Sequence, residues 1–209
     1  EQYGKYIQNP NHFKRDEQRY VGLLYFGKKY DESNALAAKI LSEDPDNFYM
    51  KRMRMLNYAA LEQPEKAIEE GDKFFQATGE FVPNDYTTYG DMLIAMGQDS
   101  IGVLQYEKAL TLAPDKASLY KDISQAYTAA KMYDKAAEAQ QKYIDMDPEH
   151  TTNDVMILAR RYQNAAATAA PDSPEHADFS QKAIKAIEEV YSKVPDNLQV
   201  LTTRSRIYL

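Results

Sequence analysis

The sequence of 209 residues contains no cysteine and no tryptophan. Without cysteine there can be no disulfide framework, thiolate metal site or cysteine nucleophile. Histidine is scarce: His12, His150 and His176. None of the three has a second ligand-type residue at the helical spacing a metal pair needs, so all read as turn or cap residues. The eight glycines are scattered. They form no phosphate-cradling loop, dinucleotide fingerprint or Gly-x-Ser-x-Gly elbow. Cations are outnumbered, 25 Lys and Arg against 32 Asp and Glu, for a net charge of −7. The chain also lacks the clustered basic run that nucleic acid phosphates require, so nucleic acid is not an expected partner. The longest apolar run, residues 155–159, falls far short of the ~18–20 residues that span a bilayer. The first residue is Glu1 rather than Met, so the lack of a visible signal peptide carries no information.

Hydrophobic residues make up 44% of the chain, enough to build a core. Proline shows how that core is divided. Pro114 and Pro148 are 34 residues apart, Pro10 and Pro45 are 35 apart, and Pro45 and Pro114 are 69 apart, close to two periods. From Pro148 to Pro195 the interval is 47, one period plus 13 inserted residues. Each of these prolines precedes Asp, Asn or Glu. Proline ends one helix and the polar residue after it caps the next. Asp44-Pro45-Asp46-Asn47 therefore reads as a capped turn; it lacks the Gly and distal Glu of a calcium loop.

Between prolines the pattern is two amphipathic helices joined by a tight turn. Counting from Pro83 as position 1, Tyr86 falls at 4, Tyr89 at 7, Gly90 at 8, Leu93 at 11, Gly97 at 15, Gly102 at 20, Tyr106 at 24, Ala109 at 27 and Pro114 at 32. The unit from Ala117 agrees, with Tyr120, Ile123, Ser124, Tyr127, Ala136, Tyr143 and Pro148. The unit from Phe48 carries Met55, Tyr58 and Ala67 at matching positions. This succession resembles the tetratricopeptide-repeat (TPR) family. The resemblance implies an all-α fold, a right-handed α-solenoid of stacked antiparallel helix pairs. On this reading residues 1–209 form a single array. Residues 1–10 end a preceding repeat, five repeats cover 13–45, 48–80, 83–114, 117–148 and 151–195, and 198–209 is a lone first helix or cap. Both ends read as cut inside repeats of a longer array. The fifth repeat holds the insertion: its first helix is expected over 152–169, with Ser173 capping a second helix that has Pro174 at its first position.

The resemblance also implies a function, the non-catalytic binding of a protein or peptide, with no cofactor and no metal. In TPR proteins positions 2, 5, 6, 9, 12 and 13 of the first helices line a concave groove. Carried onto this chain, they give Tyr49, Arg52, Met53 and Leu56 in the second unit, and Thr87, Asp91 and Ile94 in the third. The fourth contributes Lys121, Gln125 and Thr128. In the first unit, framed from Phe13, the set includes Val21, Leu24 and Tyr25; in the fifth, framed from Thr151, it includes Val155, Ala159 and Tyr162. The carboxylate clamp of some TPR co-chaperones needs Lys at 5 with Asn at 6 and 9. Here Lys121 is followed by Asp122 and Gln125, and Arg52 by Met53 and Leu56, so that clamp is absent. The paired carboxylates Glu69-Glu70 and Glu188-Glu189 lie among lysines and read as solvated faces. Of the 17 tyrosines most fall on packing positions. Alternative roles are a structural spacer, an oligomerisation arm or the regulatory segment of a larger protein. The cysteine-free composition, rich in Tyr, Lys, Asp and Asn, resembles bacterial envelope TPR proteins, which implies a periplasmic or envelope location. The oligomeric state is not encoded in any of these features.

Overall fold

The computed structural model describes residues 2–9, 11 and 13–208. Pro10 and His12, read above as a repeat boundary and a turn residue, lie outside the described residues, as do Glu1 and Leu209. Among the described residues there are twelve helices and no strand. In order they are α1 (Gln2–Ile7), α2 (Lys14–Phe26), α3 (Tyr30–Glu43), α4 (Phe48–Ala60), α5 (Pro64–Phe75), α6 (Pro83–Ala95), α7 (Asp99–Leu112), α8 (Ala117–Ala129), α9 (Tyr133–Met146), α10 (Thr152–Thr168), α11 (Pro174–Lys193) and α12 (Leu198–Ile207). Packing divides the chain into two compact units, residues 1–105 and 106–209.

Helix boundaries follow local chemistry. Asn47 caps α4 by accepting the Met50 N–H, and Asn197 caps α12 by accepting from Gln199 and Val200. Thr151 and Asp154 form a reciprocal capping box at the start of α10. Ser173 accepts the His176 N–H with Pro174 at the first helical position, as the sequence implied. Four first helices stop in the same way. Lys28, Glu62, Gly97 and Lys131 take positive φ values of 58°, 56°, 73° and 58°. The next N–H then reaches back to a carbonyl five residues earlier, as in Gln63 to Tyr58 and Met132 to Tyr127. These are Schellman stops, which satisfy carbonyls the helix end would otherwise orphan. The positive-φ residues recur every 34 or 35 residues. The equivalent residue of the fifth repeat is Ala166, which stays helical and buried. Without a stop α10 runs on to 17 residues, against 13 for α8, and α11 reaches 20. The four extra residues of α10 add about 6 Å, one turn.

In the first unit α1 through α6 pack in succession, and the first helix α4 also touches α2 and α6. One core cluster joins Val21, Ala37, Ile40, Met50 and Met53. A second joins Met55, Phe74, Tyr89 and Leu93, with Phe48, Phe75 and Phe81 packed against it. Phe81 occupies the turn that lacks the usual proline and stacks on Phe75 at 5.3 Å. Burying Phe74 completely is worth about 2–3 kcal/mol. At Gly102 the two helices of the third repeat approach closely: a Cβ there would lie 2.8 Å from the Gly90 carbonyl oxygen. In the second unit α8 through α12 pack in succession. Its clusters are built on Ala137, Leu158, Tyr162 and Ala183, and on Val155, Met156, Ala159, Ile187, Val190 and Val200. Among the described residues no helix is long and apolar enough to cross a membrane.

Candidate functional site

The first helical residues are Lys14, Phe48, Pro83, Ala117, Thr152 and Leu198. Four of these agree with the frame read from the sequence. Two do not: Phe13 and Thr151 are extended N-cap residues, so the first and fifth units start one residue later than the pattern implied. One residue turns a helix by about 100°, which moves side chains between the packed and outward faces. Val21, Leu24, Val155, Ala159 and Tyr162, placed in the groove by the sequence frame, are all buried in the core. Tyr162 packs against Phe179, and Lys182 sits over its ring. In the observed frame position 9 is occupied by the buried Gly22, the half-buried Leu56 and Arg160 and the exposed Asp91, Gln125 and Arg206, and position 12 of the fifth unit by Gln163 rather than Tyr162.

The second, third and fourth units keep their frame, and their predicted residues have divergent fates. Tyr49 is 37% exposed, and Asp91 and Gln125 are exposed. Leu56, Thr87, Ile94 and Thr128 are half-buried. Met53 is in the core at 4% exposure and has no surface to offer a partner. The two cations at position 5 are already engaged. Arg52 pairs with Asp85 at 2.9 Å and donates to the Glu80 carbonyl at 2.6 Å. Its guanidinium lies 5.0 Å from the Phe48 centroid and 5.5 Å from that of Phe74. Lys121 repeats this arrangement in the second unit, pairing with Asp154 at 2.7 Å above the Tyr143 ring at 4.8 Å. In both cases the carboxylate sits at the third residue of the next first helix and accepts its N-cap N–H. Each pair therefore clasps one repeat to the next.

Burial raises the Asp85 carboxyl above the usual carboxylate range despite the Val82 N–H and Arg52. At Asp154 burial pushes in the same direction, but Lys121 and the Thr151 donors outweigh it and the carboxyl titrates below its usual value. The Asp154 contact in turn raises Lys121. Glu70 departs from the solvated-face expectation. It is buried and takes two hydrogen bonds from Arg54, both 2.9 Å. Burial pushes its carboxyl up, and Arg54 and Lys73 more than reverse that. Glu188 is held by Arg204 at 2.5 Å. His150 lies in the turn before α10 and His176 in the first turn of α11, with their Nδ1 atoms near the Asp147 and Ala166 carbonyls. Among the described residues no three His, Cys, Asp or Glu side chains are grouped as a metal site would need.

An open pocket of about 670 Å³ lies between α10 and α12, lined by Arg160, Asn197, Leu198, Gln199, Thr202, Thr203 and Arg206. Arg160 donates to the Thr203 hydroxyl through Nε and Nη2 at 3.3 and 2.9 Å. Gln163 ties α10 to α12 by donating to the Arg206 carbonyl at 2.7 Å. The sequence pattern did not reveal either arginine. They fall at position 9 when the fifth unit is numbered from Thr152, where the sequence already began its helix, and the final helix from Leu198.

Solved structures place this helix order. YrrB, described as a TPR protein with an unusual peptide-binding site, superposes with a TM-score of 0.73 at 17% identity, over 98% of each chain. The chain has the tetratricopeptide-repeat fold. A second TPR-fold comparison, TTC0263, a thermophilic TPR protein of Thermus thermophilus, gives a TM-score of 0.53 at 16% identity, covering 94% of this chain and 99% of that one. MamA (residues 41 to the end) of Desulfovibrio magneticus gives 0.63 at 17% identity, over 85% and 95%. At these identities the likeness is one of TPR fold. No protein-family model matches the sequence, and no curated protein matches it.

Proposed function

We propose that this chain is a non-catalytic scaffold that holds a peptide or a segment of a partner protein against the face formed by its first helices. One observation carries the reading. Positions that build the fold repeat in type along the chain, with Ala67, Ala109 and Ala136 fully buried at helix contacts, whereas position 9 runs Gly22, Leu56, Asp91, Gln125, Arg160, Arg206 without repetition across the first five units. Packing fixes the first set; of the second, Gly22 is buried against Tyr49 and Leu56 packs partly on the core, while Asp91, Gln125 and Arg206 are exposed and differ from unit to unit. A surface that the fold leaves free to vary is where a repeat protein distinguishes partners. YrrB, which shares the fold, is described as having a peptide-binding site, and helix-lined faces accept extended or helical segments.

The test is capture of partners by the immobilised chain, followed by substitution at outward positions. Tyr49→Ala with Leu56→Ala in the first unit, and Gln125→Ala with Gln163→Ala in the second, are expected to weaken capture about tenfold or more, with circular dichroism unchanged. Capture that ignores both pairs would refute the assignment of the face. A hydrolase or transferase activity in the purified chain, abolished by a single polar substitution, would refute the non-catalytic reading.

A further inference from the structure

We propose that the first-helix face of α10 and α12 is an acid-selective subsite, taking a partner segment that carries several Asp or Glu side chains. This deepens the scaffold reading above and rests on it. The starting point is a local imbalance of charge in an acidic protein. Several cations on first helices are matched: Arg52 by Asp85, Arg54 by Glu70, Lys121 by Asp154 and Arg204 by Glu188. On α10 and α12 three guanidiniums have no carboxylate partner among the described residues: Arg160, Arg161 and Arg206. Nor is there a carboxylate at outward positions 2, 5, 6, 9, 12 and 13 of α10, or at those of α12 as far as Arg206.

The three side chains are held differently, and two of them, Arg160 and Arg206, line the pocket. Arg160 spends Nε and Nη2 on the Thr203 hydroxyl, which fixes the guanidinium plane at the pocket wall and leaves Nη1 as a donor. Arg206 is exposed on the same pocket. Arg161 is 8% exposed; one amino group meets the Thr128 hydroxyl, and its Nε has no acceptor at all. Burial lowers its pKa to about 10, still far enough above neutrality that the group stays charged. Arg161 does not line the pocket, but its charge, unmatched by a carboxylate, adds to the positive field of α10. Guanidinium forks match carboxylates in geometry as well as charge. Gln199 and Thr202 supply further polar contacts, and Leu198, 77% exposed on the pocket edge, supplies an apolar one.

The occupant is a run of acidic side chains rather than a chain terminus, because two guanidiniums on separate helices, Arg160 and Arg206, outnumber the single carboxylate a terminus provides. The arrangement also differs from the Lys-Asn-Asn clamp sought in the sequence, since the arginines recur at position 9 of consecutive first helices.

The experiment is fluorescence anisotropy on the full chain with three labelled peptides. The first alternates Glu with Leu and has both ends blocked. The second is the same peptide with Gln for Glu. The third is the Gln peptide with a free C-terminal carboxylate. The first is expected to bind about tenfold tighter than either of the others, and to weaken as salt is raised. Arg206→Gln, a change at an exposed side chain, and Arg160→Gln are together expected to remove about tenfold of the affinity for the first peptide alone. The melting temperature of Arg206→Gln serves as the folding control. Equal binding of the first two peptides, equal binding of the first and third, or indifference to the arginine pair each overturns the proposal. If the Gln peptide binds and responds to Gln125→Ala with Gln163→Ala, acid selection falls while the scaffold reading stands. If no peptide binds, acid selection also falls, and the scaffold reading is judged on partner capture.

Discussion

Lys28, Glu62 and Lys131 occupy the left-handed region that Gly97 occupies in the third repeat. For an L-residue with a side chain, that conformation costs about 1–2 kcal/mol. Replacing any one of the three with glycine recovers part of that cost and loses part of it to the freer unfolded chain. We expect Lys28→Gly, Glu62→Gly and Lys131→Gly each to raise stability by roughly 0.5–1 kcal/mol, seen as a higher midpoint in urea at unchanged slope. Gly97→Ala should lower it by about 1 kcal/mol. Three of these four stops are invisible to a search for turn glycines. Gly27 has the residue type expected of the turn in the first repeat, but its φ is −77° and Lys28 makes the turn. The stop is set by the helix-terminal hydrogen bonds, which any residue can complete at some strain.

Between helices, the two clasps make opposite predictions about acid. Asp154 titrates below its unfolded value, so its contribution to stability is fully present above the unfolded carboxylate pKa of about 4 and disappears as pH falls through the folded one. Asp154→Asn should therefore cost about 2–4 kcal/mol at neutral pH, and the gap to the parent chain should narrow below pH ~4. Asp85 titrates above its unfolded value. Its ionised form is the one the fold disfavours, so Asp85→Asn should cost less than Asp154→Asn at neutral pH. Thermal melts of both variants across pH test the contrast; equal losses at neutral pH would contradict it. Arg52→Ala, which leaves Asp85 buried without its cation, should cost about 3 kcal/mol. Helix lengths obey the same logic of local stops. The fifth hairpin is long because Ala166 continues the helix where Lys28, Glu62, Gly97 and Lys131 end theirs.

The helix stops recur every 34 or 35 residues, but a second set of features recurs every 69. Arg52 and Lys121, Asp85 and Asp154, and Phe74 and Tyr143 are each 69 residues apart, so cation, carboxylate and ring recur together. Lys66 over Tyr58 recurs as Lys135 over Tyr127, each at 5.5 Å. The clasp is thus made in alternate repeats. Because repeat arrays are stabilised by nearest neighbours, Arg52→Ala should accelerate amide exchange most in α4 to α6, with an effect that fades along the array. A uniform acceleration from α2 to α12 would show that the chain unfolds as one cooperative body instead.

The proline spacing, the alternation of amphipathic stripes and caps such as Asn47 and Ser173 are local properties, so the all-helical fold and the packing of consecutive helices could be read from neighbouring residues alone. The lining of the outward face could not. Whether Phe13 and Thr151 are the last extended residues or the first helical ones depends on backbone angles, and an error of one residue turned Tyr162 outward when it belongs to the core. Whether Arg52 and Lys121 are free to meet a partner depends on carboxylates 33 residues further along, and Arg160 and Arg206, on separate helices, meet only at the pocket between α10 and α12. Helical periodicity reports a side chain's direction relative to its own axis; which partner it finds there is decided by the packing of one helix against the next.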